Sequence, residues 1–153
     1  MGDSADNPGV IAPPPLMYAG VFLIALALRR LEPLPIFGRV FWPGLALTAL
    51  GVALAIWGRN TLVAAGTNVN PYRPSTAIVD SGPYRFTRNP LYVSLMLMYA
   101  GLTLAFDTWW GFILLAPVLI VMHLGVIRRE ERYLEGKFGE SYRRYRDNVR
   151  RYL

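Results

Sequence analysis

Four stretches of this sequence carry no formal charge: residues 8–28, 40–58, 91–106 and 108–127. An α-helix rises about 1.5 Å per residue, so about 20 residues cross a hydrocarbon core about 30 Å thick. Residues 40–58 and 108–127 meet that length directly. Residues 16–28 are short, but Ile11–Pro15 add apolar length at their start. Residues 91–106 reach across if the helix starts near Pro90 and runs to Trp109, or where the bilayer thins. The sequence predicts an all-α integral membrane bundle of about four transmembrane helices with a cytoplasmic amphipathic carboxy-terminal helix. Lying along the interface is the alternative for the first segment.

The remaining charge is concentrated. Charged residues make up 17% of the chain, against about 25% in soluble domains. Of 16 basic residues, nine lie after residue 127. This pattern excludes an ordinary soluble enzyme, a disordered chain and a disulfide-stapled module. With no cysteine, thiol chemistry, zinc–thiolate sites and iron–sulfur clusters are excluded too.

The 153 residues read as a single membrane domain. Residues 1–15, with four prolines, read as a disordered amino terminus. Residues 16–58 form a first helical pair, 59–90 a cytoplasmic connection, 91–127 a transmembrane hairpin about Asp107, and 128–153 a basic helical tail. The connection contains the turn formers Asn68, Asn70, Pro71, Pro74, Gly82 and Pro83. Trp42, Trp57, Trp109 and Trp110 stand at span ends, where indoles suit the headgroup region; core packing is the alternative. The first span is not read as a signal peptide, because Asp3 and Asp6 precede it and no cation does.

Orientation follows the cations in the flanking loops. The tail and the connection, with Arg59, Arg73, Arg85 and Arg88, should be cytoplasmic. Arg29, Arg30 and Arg39 oppose this, since they fall on the other side. The expected location is a bacterial or archaeal inner membrane. In the tail, Phe138, Tyr142, Tyr145, Val149 and Tyr152 recur at helical spacing among arginines, as on a helix lying on an anionic membrane surface. Its position after a span favours lipid headgroups over nucleic acid as its partner.

Three polar groups converge on the cytoplasmic edge. Asn89 is placed to cap a helix opened by Pro90, and Arg85 and Arg88 beside that helix start favour an anion. Anchoring cations are the alternative there. His123, the only histidine, falls within the fourth span, where an ionisable group faces a cavity or packs against a carbonyl. Glu130 and Glu131 come next, on a helix face that continues from His123 through Ile127 into the cytoplasm. Ion pairs along the helix are the alternative for these acids. Paired carboxylates can hold an ammonium or ribose hydroxyls while arginines hold a carboxylate, and S-adenosylmethionine offers all of these. No metal site is indicated.

Tyr84-Arg85-(x2)-Arg88-Asn89-Pro90-(x)-Tyr92, a membrane hairpin, then His123, Glu130-Glu131, Leu134, Phe138-Gly139, Tyr142 and Tyr145 resemble the isoprenylcysteine carboxyl methyltransferase and phospholipid methyltransferase family. The resemblance covers about residues 59–150. It implies an integral membrane methyltransferase using S-adenosylmethionine, with a lipophilic acceptor arriving from the bilayer. Carried over by position, Tyr84, Arg88, Asn89, Pro90, Tyr92, His123, Glu130 and Glu131 are the implied cofactor contacts, with Arg85 among them. Arg85, His123 and Glu131 are the implied catalytic residues: Arg85 to orient a carboxylate acceptor, His123 or a glutamate to take a proton from an amine. Tyr142 and Tyr145 would close the pocket.

The chain departs from that pattern at Asn89, where the eukaryotic carboxyl methyltransferases have His, and at Ser94, where many relatives have Gly. The extra amino-terminal spans that shape the prenyl tunnel are not expected here. A prenylcysteine substrate is therefore not implied, and O-, N- and S-methylation stay open. The alternative function is a non-catalytic membrane or assembly factor on the same fold. A proton-coupled transporter would need an acid within a span, and none lies there.

Overall fold

The computed structural model describes residues 8–38 and 40–152. Asp3, Asp6 and Arg39 lie outside the described residues, as do the first seven positions of the stretch read as disordered.

The described residues are helical, with no strand among them: α1 Pro14–Leu31, α2 Phe41–Ala64, α3 Pro90–Ala105, α4 Trp109–Met122, α5 Arg128–Phe138 and α6 Glu140–Asn148. Three apolar helices are long enough to cross a membrane: α1, α2 and the continuous Trp109–Phe138 run; α3 is a shorter apolar helix of 16 residues.

Local chemistry sets the ends. Pro14 opens α1 and Pro90 opens α3, each at a first-turn position where no backbone N–H is missed. Pro33 and Pro35 come after the end of α1, whose last turn carries Arg29 and Arg30, favourable to the helix dipole. α2 outlasts its charge-free stretch by six residues. It stops at Gly66, whose φ of +68° suits glycine, while Thr67 N–H bonds the Leu62 carbonyl and Gly66 N–H that of Val63. α3 closes the same way at Asp107 (φ +47°), giving the hairpin expected there. The Asp107 carboxylate accepts the Ile36 N–H at 2.9 Å, and the Leu34 carbonyl accepts that of Trp109, so the two loops at this end join.

α2 and α3 pack antiparallel along a glycine seam. A Cβ on Gly44 would lie 2.6 Å from the Gly101 carbonyl oxygen, and one on Gly51 would lie 2.8 Å from that of Ser94. Gly58 faces Leu91. The seven-residue spacing of these glycines keeps them on one stripe. α1 packs on α4, and Tyr99 of α3 meets Tyr18 and Phe22 of α1 edge-on. Elsewhere the helices display exposed Leu23, Leu50, Ile56, Ile113 and Ile120, a surface suited to acyl chains.

Two expectations are corrected. Residues 8–13 are packed rather than disordered: Val10 is buried, Ile11 seats on Gly125, and the Gly9 carbonyl accepts from Arg129 at 2.9 Å. The tail helix after the break at Gly139 (φ +54°), read as lying on a membrane surface, is α6, and it turns Tyr142 inward, 2% exposed. Its aromatic face therefore covers the protein itself.

Candidate functional site

A cavity of about 340 Å³ lies where α2 ends and α3 and α5 begin. The long connection forms one wall. This segment is no slack loop: Thr67 Oγ1 accepts the Thr76 N–H at 3.0 Å, Asn68 bonds the Pro74 carbonyl at 2.7 Å, and Ser75 N–H reaches the Tyr133 hydroxyl at 3.2 Å.

Tyr84, Arg88, Asn89, Pro90, Tyr92, Glu130 and Glu131, all expected at the site from sequence, line this one cavity. Tyr142 and Tyr145 line it as well, and the Tyr145 hydroxyl donates to the Tyr84 carbonyl at 2.8 Å. The segment before α3 and the segments after α4, some 40 residues apart, are thus one structure. Tyr92 donates to Glu130 Oε2 at 2.6 Å. Arg88 Nη1 lies 3.3 Å from Glu131 Oε1, with both side chains largely buried. Arg88 Nε is buried and has no hydrogen-bond partner among the described residues. A buried guanidinium N–H without an acceptor is costly, and an anion in the cavity would relieve it.

Asn89 does not cap α3 with its side chain. Its amide instead donates to the Arg151 carbonyl at 3.0 Å, and its N–H bonds Thr87 Oγ1. The reason is a strap from residues 149–152. Arg150 and Thr87 form a parallel β-bridge, with Arg88 N–H on the Arg150 carbonyl at 2.8 Å. Arg151 then clamps Glu131 with two hydrogen bonds of 2.9 and 2.8 Å.

Two expected residues stand apart from the cavity. Arg85 is exposed, its guanidinium 5.2 Å from the centre of the Phe86 ring. It ends a short 3₁₀ turn, Gly82–Arg85, which aims successive side chains apart: Tyr84 in, Arg85 out. His123 does not line the cavity either; its Nδ1 is 2.7 Å from the Tyr152 hydroxyl. The cause is a π-helical turn, His123–Ile127. A π turn holds an extra residue, so the helix beyond it is rotated by about 100° relative to an unbroken α-helix. The face shared by His123 and Glu130 on paper is divided there.

Sequence reasoning missed Arg151, Arg59 and the wall at Val69, Ile78 and Val79. The apolar character of Val69, Ile78 and Val79 within a turn-rich connection was a readable signal for that wall. Nothing local distinguished Arg151 from its neighbours.

Burial sets the electrostatics of the rim. It pushes the Tyr142 phenol up to about 12, helped by Glu131, and raises the Tyr84 and Tyr145 phenols further. The hydrogen bonds to Glu131 raise Arg151 above its ordinary value. The cavity thus offers neutral phenols, one buried cation with a spare donor, and two carboxylates.

A profile of the phospholipid methyltransferase family matches residues 40–141. The cobalt-zinc-cadmium resistance protein CzcN of Cupriavidus metallidurans is 35% identical over 114 residues, 69% of this chain and 50% of that protein. An uncharacterized protein of Haemophilus influenzae is 42% identical over 66 residues, 41% of this chain and all of that protein. The matched region thus spans about half the length of the Cupriavidus relative. No solved structure matches.

Proposed function

The chain belongs to the phospholipid methyltransferase family, and on that premise we propose an integral membrane methyltransferase that uses S-adenosylmethionine and methylates a lipophilic acceptor. The observation that carries the cofactor reading is the cavity that Arg88, Glu130 and Glu131 line together, with Arg88 Nε buried and without a hydrogen-bond partner among the described residues. Arg88 would hold the carboxylate of the cofactor, and the glutamates its ammonium or ribose hydroxyls. When bound, S-adenosylmethionine supplies an electrophilic methyl group on a sulfonium sulfur.

The residues of this chain then have to align the acceptor and exclude water. Tyr142 and Tyr145 close the cavity on the tail side. Its apolar lining comes from the helices: Ala55 and Leu62 of α2, Leu91, Leu95 and Met98 of α3, and Pro14 and Pro15 at the start of α1. This lining suits an acyl or isoprenoid chain arriving from the bilayer. A carboxylate acceptor needs no base. For an amine acceptor the proton would pass to Glu130, whose carboxylate forms no ion pair among the described residues and accepts only the Tyr92 phenol.

The proposed topology has four spans, α3 being the short one. Two features support it. The loops at 32–36 and 107–110 meet at one end, while the amino-terminal segment, the connection and the tail meet at the other. Each of the four helices therefore runs from end to end. Among the described residues the site end carries Arg59, Arg73, Arg85, Arg88 and the nine cations of the tail, against Arg29 and Arg30 at the far end, which supports a cytoplasmic site end in a prokaryotic inner membrane.

Calorimetry with S-adenosylhomocysteine on the detergent-purified chain tests the cofactor. Micromolar binding is expected; no binding by folded protein overturns the reading. Transfer of labelled methyl from S-adenosylmethionine into a lipid extract then tests the acceptor class. Label confined to water-soluble products would exclude a lipophilic one.

A further inference from the structure

Arg151 does not line the cavity, yet it touches both halves of the site. Its guanidinium grips Glu131 with Nε on Oε1 at 2.9 Å and Nη2 on Oε2 at 2.8 Å. Its carbonyl accepts from Asn89 Nδ2 at 3.0 Å and from Thr87 Oγ1 at 3.1 Å. One residue thus fixes a carboxylate after the fourth helix and two side chains before the third.

The competition for Glu131 is what matters. Arg151 meets the carboxylate as a two-pronged fork, the stronger geometry and one that a lysine cannot reproduce. Arg88 reaches the same carboxylate only through Nη1 at 3.3 Å, and its Nε stays unpaired. We propose that Arg151 is the positioning residue of the cofactor site: by occupying both oxygens of Glu131 it keeps the donors of Arg88 available to an anionic group in the cavity. Without Arg151, Glu131 closes on Arg88 and the cavity loses its buried cation, leaving the exposed Arg59 at its wall. The proposal rests on the S-adenosylmethionine reading above.

Binding of S-adenosylhomocysteine to the full chain in detergent, with a melting curve for each variant, tests it. Arg151→Ala weakens affinity by about tenfold or more, the scale of one charged hydrogen bond. Arg151→Lys, which keeps the charge and loses the fork, falls in between. On a Glu131→Gln background, Arg151→Ala costs less than about twofold, because a neutral amide does not hold Arg88. Arg144→Ala serves as the control and binds as wild type; that side chain is exposed and pairs with Glu140. Should Arg151→Ala fail to fold, Arg151→Lys carries the test through its weaker binding at an unchanged melting midpoint.

Equal affinity of wild type and the Arg151 variants overturns the proposal alone. An equal loss with and without the Glu131→Gln substitution also overturns it, since that is the mark of a merely structural strap. A wild-type chain that binds no S-adenosylhomocysteine overturns the cofactor reading, and this proposal with it.

Discussion

The phenol of Tyr92 donates to Glu130 at 2.6 Å, tying the first turn of α3 to the first turn of α5. These turns are 38 residues apart in sequence, with a whole helical hairpin between them. The bond holds one carboxylate of the cavity at a fixed position.

Tyr92→Phe keeps the ring and removes that donor. Leaving the buried Glu130 carboxyl without this donor should cost about 1–3 kcal/mol of stability and weaken S-adenosylhomocysteine binding by about tenfold. Thermal melting and calorimetry on the same preparation check both. Unchanged values in both would show that Glu130 needs no anchor.

Arg85 and Arg88 stand three residues apart and should behave differently. Arg88 is buried against Glu131, whereas Arg85 is exposed over Phe86. Arg88→Ala is expected to abolish measurable cofactor binding. Arg85→Ala should change it by less than about twofold, in keeping with an exposed cation. The opposite ranking would mean that the 3₁₀ turn presents Arg85 to the ligand.

The α2–α3 seam predicts a contrast between two glycines. At Gly51 a Cβ would lie 2.7 Å from Met98 Cγ and 2.8 Å from the Ser94 carbonyl oxygen, whereas at Gly20 of α1 nothing lies within 4 Å. Gly51→Leu should destabilise by about 3 kcal/mol or more, because the clash is partly with backbone. Gly20→Leu should be neutral. Yield of monodisperse protein and the melting midpoint report the difference. A Gly51→Leu chain that melts like wild type would refute close α2–α3 packing.

Tyr142 makes stability sensitive to alkali. Its phenol titrates at about 12 in the folded chain and at 10.0 when unperturbed, so the folded state holds the proton more tightly. Its contribution is fully present below pH 10 and is lost as pH rises from there through about 12. The melting midpoint should stay level from pH 7 to 9 and fall above 10. In Tyr142→Phe the alkaline fall should be shallower.

Much of the architecture was legible. The four charge-free stretches became four helices, because a chain in lipid must satisfy its backbone internally and a helix does so alone. Pro90 opens α3 and Asp107 turns the hairpin, both for reasons local to a few residues. The heptad spacing of Gly44, Gly51 and Gly58 was also present in the sequence, but it acquires meaning only once α3 is known to lie against it. The chemistry-bearing residues were legible as a set and misread in detail. Asn89 reads as a cap and serves the strap. Arg85 reads as the equal of Arg88 and faces out. The tyrosines of α6 read by helical spacing as facing a membrane surface and by the family resemblance as closing the pocket; they line the cavity.

The sequence alone determined that the chain is helical, apolar and basic at one end, and which short segments carry its polar chemistry. These properties arise from hydropathy, proline and charge, each read within a few residues. The tertiary structure decided which polar groups meet. One π turn at His123–Ile127 rotates everything after it and parts His123 from Glu130. A strap at residues 149–152 brings Arg151 onto Glu131 and Asn89. Both outcomes depend on helix phase and on packing between distant segments, so no local pattern could have specified them.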